Sequence, residues 1–262
     1  MGSLIDQLSL AWPLAKRDVI ARYRGSAVGL VWALITPLAV VAVYSLVFEG
    51  VFKARWAGGA VDQGQGSYAL RLFAGLIVFG SISEVAGRAT RLIQDNANLV
   101  KRVVFPLELL CVALVMQVAL HGLLQAAVLA AWLLVVGDGP RWSWLWLPLA
   151  AAWTVALQVV LALVLASVGC YVRDLQHVVP VLMSGLLFLS PVFYPAAAAP
   201  SALRVLLNFN PMSMPIELAR AAWFGDAIDW KQLAVPALGM LLAMYFALRL
   251  FKRLRFGFAD LV

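Results

Sequence analysis

Residues Lys16–Phe52, KRDVIARYRGSAVGLVWALITPLAVVAVYSLVFEGVF, decide how the rest of the chain is read. The first third is cationic. From Val28 to Phe48 there is no charged residue, and about 20 apolar residues suffice to cross the hydrocarbon core of a bilayer. Lys16, Arg17, Arg22 and Arg24 stand immediately before that run. Basic residues flanking a span stay on the cytoplasmic side, so this stretch orients the first crossing. Pro37 within it predicts a kink or a loosened backbone. Gly25 and Gly29 make a GxxxG-type pair, a weak signal for close helix approach.

Working outward, the same pattern repeats: apolar runs punctuated by short basic loops. The chain is 64% hydrophobic and 13% charged, with mean hydropathy +0.92, whereas soluble domains run at about 45–50% apolar and about 25% charged. Such an excess does not fit inside a soluble core. The segments lack the alternation of about 10 residues that marks membrane barrel strands, so the fold class is all-α and integral to the membrane. The net charge of +7 comes from bases clustered at span ends, which points to topology rather than nucleic acid. Cys111 and Cys170 both fall in apolar runs without metal-ligand spacing, and read as buried thiols. The N-terminal MGSLIDQLSLAWPLAKRD has no continuous apolar core of the kind a cleaved signal needs.

About six spans follow, in one permease domain over 1–262. Residues 1–27 form a cytoplasmic amphipathic helix, with Ile5, Leu8, Trp12, Ala15, Val19 and Tyr23 at three- and four-residue spacing. Residues 28–194 hold spans 1–5. The second span, Tyr68–Ala86, carries Arg71 near one end and Glu84 near the other. Glu84 and Arg88 lie four apart and can pair on one face. The loop RATRLIQDNANLVKRVVFP contains Arg88, Arg91, Lys101 and Arg102 and predicts a short surface helix around Ala89–Asn96. In the third span, Leu107–Val136, Gln117, His121 and Gln125 share a face, a costly arrangement unless it meets partners or water. Interhelical hydrogen bonding is the favoured reading, pore lining the alternative.

Trp142, Trp144 and Trp146 read as interfacial anchors. Residues 195–231 hold two apolar pieces, Ser201–Leu207 and Pro215–Phe224, each too short to span. They are expected to be re-entrant or interfacial helices that form an external gate. Residues 232–251 are the sixth span and 252–262 a cytoplasmic tail. Thirteen Lys and Arg fall on the predicted inner side and seven on the outer, among them Arg71 and Arg220. Both termini are therefore expected inside.

The chemistry that is missing narrows the function. There is no GxxxxGK[ST] phosphate loop, no HExxH and no nucleophile elbow. Midplane ionisable groups and repeated broken helices, which secondary transporters use, are also lacking. A transport subunit driven by another protein, and not itself an enzyme, fits these features.

At this point the residues resemble a known family. RDVIARYRGSAVGLVWALITPLAVVAVYSLVF resembles the opening of ABC-2 type permeases that export polysaccharides, through Arg17, Asp18, Tyr23, Arg24, Gly25, Ser26, Gly29, Trp32 and Pro37. NANLVKRVVFPLELL is similar to the family's loop before span 3, through Asn98, Leu99, Lys101, Phe105 and Pro106. LSPVFYP and FNPMSMPIELAR are similar to its fifth-span end and gate helices, through Pro191, Phe193, Tyr194, Asn210 and Pro211. The resemblance extends over nearly the whole chain, with O-antigen, capsule and teichoic-acid exporters as the subgroup.

It implies a half-transporter in a bacterial inner membrane. Two copies form the channel, and two copies of a separate ATPase, which binds ATP and Mg, dock below. The cargo is a lipid-linked glycan. Lys16, Arg17, Asp18, Arg88, Arg91, Asn98, Lys101 and Arg102 would then meet the ATPase. Asn210, Pro211, Glu217 and Arg220 would belong to the gate. A glycan path needs aromatic faces and few trapping charges, which makes Trp32, Tyr44, Phe48, Phe188, Phe193 and Tyr194 lining candidates. Aromatic residues in membrane helices are more often packing or interface anchors. Arg22 and Arg24 are candidates for the lipid pyrophosphate, with ordinary positive-inside anchoring as the plainer reading. The alternatives are an ABC-2 permease for a small lipid or drug, with the same fold, and a membrane enzyme of glycan assembly. The enzyme predicts clustered acidic or histidine residues at a membrane face, which this sequence does not have.

Overall fold

The structure is a computed structural model, and it describes residues 12–13, 15–16, 31–51, 56, 67–101, 106–136, 140–228 and 230–261. The described residues are helical, with no strand among them. Four helices are long and apolar enough to cross a membrane: Tyr68–Ala89, Glu108–Val135, Trp142–Tyr171 and Leu233–Leu261. Two shorter apolar helices, Ile35–Phe48 and Leu175–Phe188, stand where the first and fifth spans were expected. Most of residues 1–30, including Arg17, Asp18, Arg22, Arg24 and the Gly25/Gly29 pair, lie outside the described residues, as does Arg102. Of the predicted amphipathic stretch, Trp12, Pro13, Ala15 and Lys16 are described and helical, with Ala15 buried and Lys16 exposed.

In chain order the helices are α1 (Trp32–Tyr44), α2 (Ser67–Ala89), α3 (Leu92–Asp95), α4 (Ala97–Val100), α5 (Glu108–Val136), α6 (Leu147–Tyr171), α7 (Leu175–Phe188), α8 (Ser201–Phe209), α9 (Ser213–Phe224), α10 (Trp230–Leu254) and α11 (Phe258–Leu261). Helix α1 runs through Pro37 and passes into wider π-helical turns over Ser45–Val51. The predicted surface helix of the basic loop is two short helices, α3 and α4. They part at Asn96, whose Nδ2 donates to Leu92 O at 2.9 Å and closes the first.

Helix α2 is the centre of the bundle, packed on α1, α5, α6, α7 and α9. Ala69, Ala74, Gly75, Ala86 and Ala89 keep its surface low, which lets neighbours approach. Its most apolar stretch is 67% buried, against 11% for the most apolar stretches of α5 and of α10. Those two outer helices keep their apolar faces for lipid or for another chain.

Beyond α7, α8 begins directly after Pro200 and α9 ends at Gly225. Gly225 adopts φ +77°, the left-handed conformation that glycine enters without a Cβ penalty. Its N–H donates to Ala221 O at 2.9 Å. Arg141 Nη1 donates to Phe224 O (3.0 Å) and Trp144 Nε1 to Trp223 O (3.2 Å), which satisfies the last carbonyls of α9. Trp144 is thus a cap on α9, while Trp142 remains exposed as an anchor would be. Cys111 and Cys170 are buried free thiols, as their apolar context predicts.

Candidate functional site

Two places gather the residues singled out in the sequence, one at each end of α2. At the end away from the basic loop lies a chain of aromatic rings. Phe188 closes α7, and its ring stacks on Phe193 at 5.4 Å. Phe193 lies 6.1 Å from Phe48, and Phe48 lies 5.4 Å from Tyr68 and 5.8 Å from Tyr44. Tyr68 then meets Trp56 at 5.5 Å. Two hydroxyls fix the loop after α7: Tyr68 Oη donates to Phe193 O (2.7 Å) and Tyr194 Oη to Phe188 O (2.9 Å). Tyr44, Phe48, Phe188, Phe193 and Tyr194 are therefore neighbours, although they come from separate segments. Trp32 is not among them. It stands about three turns back along α1 and is nearly half exposed. The chain is buried at Trp56 and open at Phe188, 67% of whose surface is free.

Behind the rings sits a polar cluster. Arg220 of α9 is 3% exposed. Its Nη2 donates to Pro191 O (2.8 Å) and Val192 O (3.1 Å), its Nε to Arg71 O (3.4 Å), and its guanidinium lies 4.3 Å over the Trp56 ring. A buried cation is costly unless paired or fully hydrogen-bonded, and carbonyls with an aromatic face meet that need. Gly75 makes the room, since a Cβ there would lie 2.9 Å from Arg220 Nη2. One turn before it, Arg71 is also buried and binds Asp226 through both carboxylate oxygens, at 2.5 and 3.2 Å. It also covers the Phe224 ring at 4.6 Å.

Arg71 and Arg220, expected among dispersed external bases, are interior residues that hold α9 against α2. Glu217 sits one turn before Arg220. Burial raises its carboxyl above the usual range, opposed by the Arg220 charge and by a hydrogen bond from the Ala196 backbone. Asn210 ties the α8–α9 turn to the end of α7: its Nδ2 donates to Leu189 O (3.0 Å) and Ser190 Oγ (2.8 Å), and its Oδ1 accepts from Met212 N (2.9 Å). Pro211 is exposed at that turn.

At the other end of α2 the predicted Glu84–Arg88 pair is present, at 3.1 Å. Arg88 Nη2 also donates to Gln117 Oε1 at 2.7 Å, so Gln117 of the polar stripe makes the interhelical hydrogen bond. Arg91, just before α3, Asn98 on α4 and Lys101, just after α4, are exposed. Arg91 pairs with Asp95 at 3.6 Å, with both side chains more than half exposed, and such a pair contributes about 0–1 kcal/mol. No group of three or more His, Cys, Asp or Glu suited to a metal exists among the described residues.

Sequence reasoning missed Trp56, Tyr68, Asp226 and Gly75. A signal for Asp226 was available. Arg71 lies inside an apolar helix, and a charge there implies a partner, although sequence does not say which of the chain's acids it is.

The all-helical membrane bundle agrees with the comparison with known proteins. The family model for ABC-2 type transporters matches residues 10–224. The chain belongs to the ABC-2 type transporter family. Among curated relatives, an O-antigen export system permease protein RfbA of Klebsiella pneumoniae is 23% identical across 100% of this chain and 97% of its own length. RfbA of Myxococcus xanthus is 26% identical across 94% and 93%. Polysialic acid transport protein KpsM of Escherichia coli is 25% identical across 90% of each. ABC-2 chains are transporter permeases, which agrees with the lack of catalytic motifs in this sequence.

Proposed function

We propose that this chain is the channel-forming permease of an ABC exporter for a lipid-linked polysaccharide of the O-antigen type. It works as a pair of identical subunits in a bacterial inner membrane, both termini facing the cytoplasm. A separate ATPase, also in two copies, holds ATP and Mg. The ring chain from Phe188 through Phe193 and Phe48 to Tyr68 carries this reading. Sugar rings present C–H faces that pack on aromatic surfaces, and a path without fixed charges releases them easily. The two buried arginines fit this, because carbonyls, aromatic faces and Asp226 occupy them and turn them away from a passing chain. In this reading Arg88, Arg91, Asn98 and Lys101, with Lys16, Arg17, Asp18 and Arg102, receive the ATPase. Arg22 and Arg24 meet the lipid pyrophosphate, and α8 and α9 cap the path outside.

The test is export by Phe188→Ala and Phe193→Ala variants, with surface glycan measured against permease level and ATPase association. Reduced export with a normally assembled complex supports the reading. Normal export by both variants removes the aromatic path from the mechanism. Export of small lipids with no response to glycan would transfer the proposal to the lipid or drug permease class.

A further inference from the structure

The segment after α10, expected as a basic cytoplasmic tail, stays helical and packs against the bundle. Arg255–Gly257 winds as a short 3₁₀ stretch and α11 follows. Gly257 leaves room for a close neighbour: a Cβ on it would lie 2.3 Å from Tyr171 Oη. That hydroxyl donates to Leu254 O at 2.8 Å, and Arg255 Nη1 donates to Glu108 Oε1 at 3.0 Å, at the start of α5. These contacts aim Phe258 inward. It is fully buried, edge-on to Phe251 at 5.5 Å and 6.2 Å from Tyr171. The same apolar cluster contains Ile93 of α3 and Val100 of α4, and α11 packs directly on α4 and α6.

Helices of four residues do not hold their shape alone, so α3 and α4 take their position from packing. Two supports are visible. The end of α6 is one: Gly169 lets Thr90 O approach to where a Cβ would be 2.3 Å away, and Gln94 Nε2 donates to Gly169 O at 3.3 Å. The second is α11, with Phe258 behind the inward residues of the loop, whose outward residues Arg91, Asn98 and Lys101 are exposed.

We propose that the C-terminal segment Leu254–Leu261 sets the position of the basic loop for ATPase docking, with Phe258 as the positioning residue. The proposal rests on the docking role given to that loop above. It assigns the last residues of the chain to energy coupling rather than to membrane anchoring.

The experiment titrates the purified cognate ATPase subunit onto full-length permease in phosphatidylethanolamine/phosphatidylglycerol vesicles, reading coupled ATP hydrolysis. For Phe258→Ala, which empties a fully buried site behind the loop, the ATPase concentration at half-saturation should rise several-fold with the saturated rate retained. Phe258→Leu, which keeps most of the apolar volume, should recover most of the affinity. Arg91→Glu with Lys101→Glu should also weaken docking, and combining it with Phe258→Ala should give less than the product of the separate effects.

Unchanged half-saturation for Phe258→Ala, beside weakened docking by the loop variant, overturns the proposal and leaves the loop's role intact. Unchanged half-saturation for both overturns the docking reading beneath it. A lower saturated rate at unchanged half-saturation also overturns the proposal, because the segment would then act on the bundle and not on docking. If Phe258→Ala yields no folded permease, Tyr171→Phe is measured the same way. Loss of its hydrogen bond to Leu254 should raise half-saturation about two- to threefold, and no change overturns the proposal.

Discussion

Helices α8 and α9 read alike in sequence, each a short apolar piece beside a proline, and they are held very differently. Ten of the twelve residues of α9 are buried, and only Leu207 of the nine in α8. Helix α9 packs on both α2 and α6. It is fastened by the Arg220 carbonyl contacts, by the Arg71–Asp226 pair just past its end and by caps from Arg141 and Trp144. Helix α8 shows Val205, Leu206 and Phe209 to the outside, with Phe209 84% exposed. Arg204 folds back onto the carbonyls of Ala197 and Ala199. Length and hydropathy do not separate the two; buried polar anchoring does. Under the proposed capping role, α8 is the loosely fastened element and α9 the firmly held one.

The largest expected effect comes from breaking the anchor of α9. Arg220→Met strands the carbonyls of Pro191 and Val192, each costing about 1–3 kcal/mol when buried and unpaired. Its thermal unfolding midpoint in detergent should fall the furthest of any variant here. Asp226→Asn comes next. Breaking a buried ion pair from one side costs about 3–5 kcal/mol, with the lower end expected because Asp226 is partly exposed. Adding Arg71→Gln to it should recover part of the loss in a double-mutant cycle, and strict additivity would show the pair to be idle.

Leu207→Ala, at the single buried position of α8, should cost about 2–3 kcal/mol locally. It should appear as faster hydrogen exchange over Ser201–Phe209 with α9 unchanged. Equal acceleration in both helices would unite what the structure separates. The smallest effect belongs to Phe209→Ala, within about 0.5 kcal/mol in stability, as for other exposed positions.

Much of the bundle was legible because charge-free runs of spanning length have few alternatives. Glu84–Arg88 was legible because four-residue spacing fixes a helical neighbour. Arg71 and Arg220 were not. Counted as surface bases, they meet only after the chain brings together residues 149 positions apart. The gathering of Phe48, Phe193 and Phe188 was hidden for the same reason, since an aromatic in an apolar run carries no mark of its partner. The close approaches at Gly169 and Gly257 were hidden differently, because glycine within or after a span is commonplace and only the neighbouring atoms show that a side chain has no room. In the tail, Phe256 and Phe258 sit among bases and look equivalent, yet one is exposed and the other fully buried.

The unequal helix lengths have a mechanical consequence for the surrounding lipid. Helix α5 has 29 residues and α7 has 14, or about 43 Å and about 21 Å along their axes, beside hydrocarbon about 30 Å thick. A bilayer bordering both meets a long flank, taken up by tilt or stretching, and a short one that favours thinning, at fractions of a kcal/mol per Å of mismatch. The short flank ends at Phe188, at the open end of the ring chain. Membrane elasticity therefore acts on the protein as a sidedness of its own, and changing the acyl-chain length of the host lipid loads one edge of the bundle against the other.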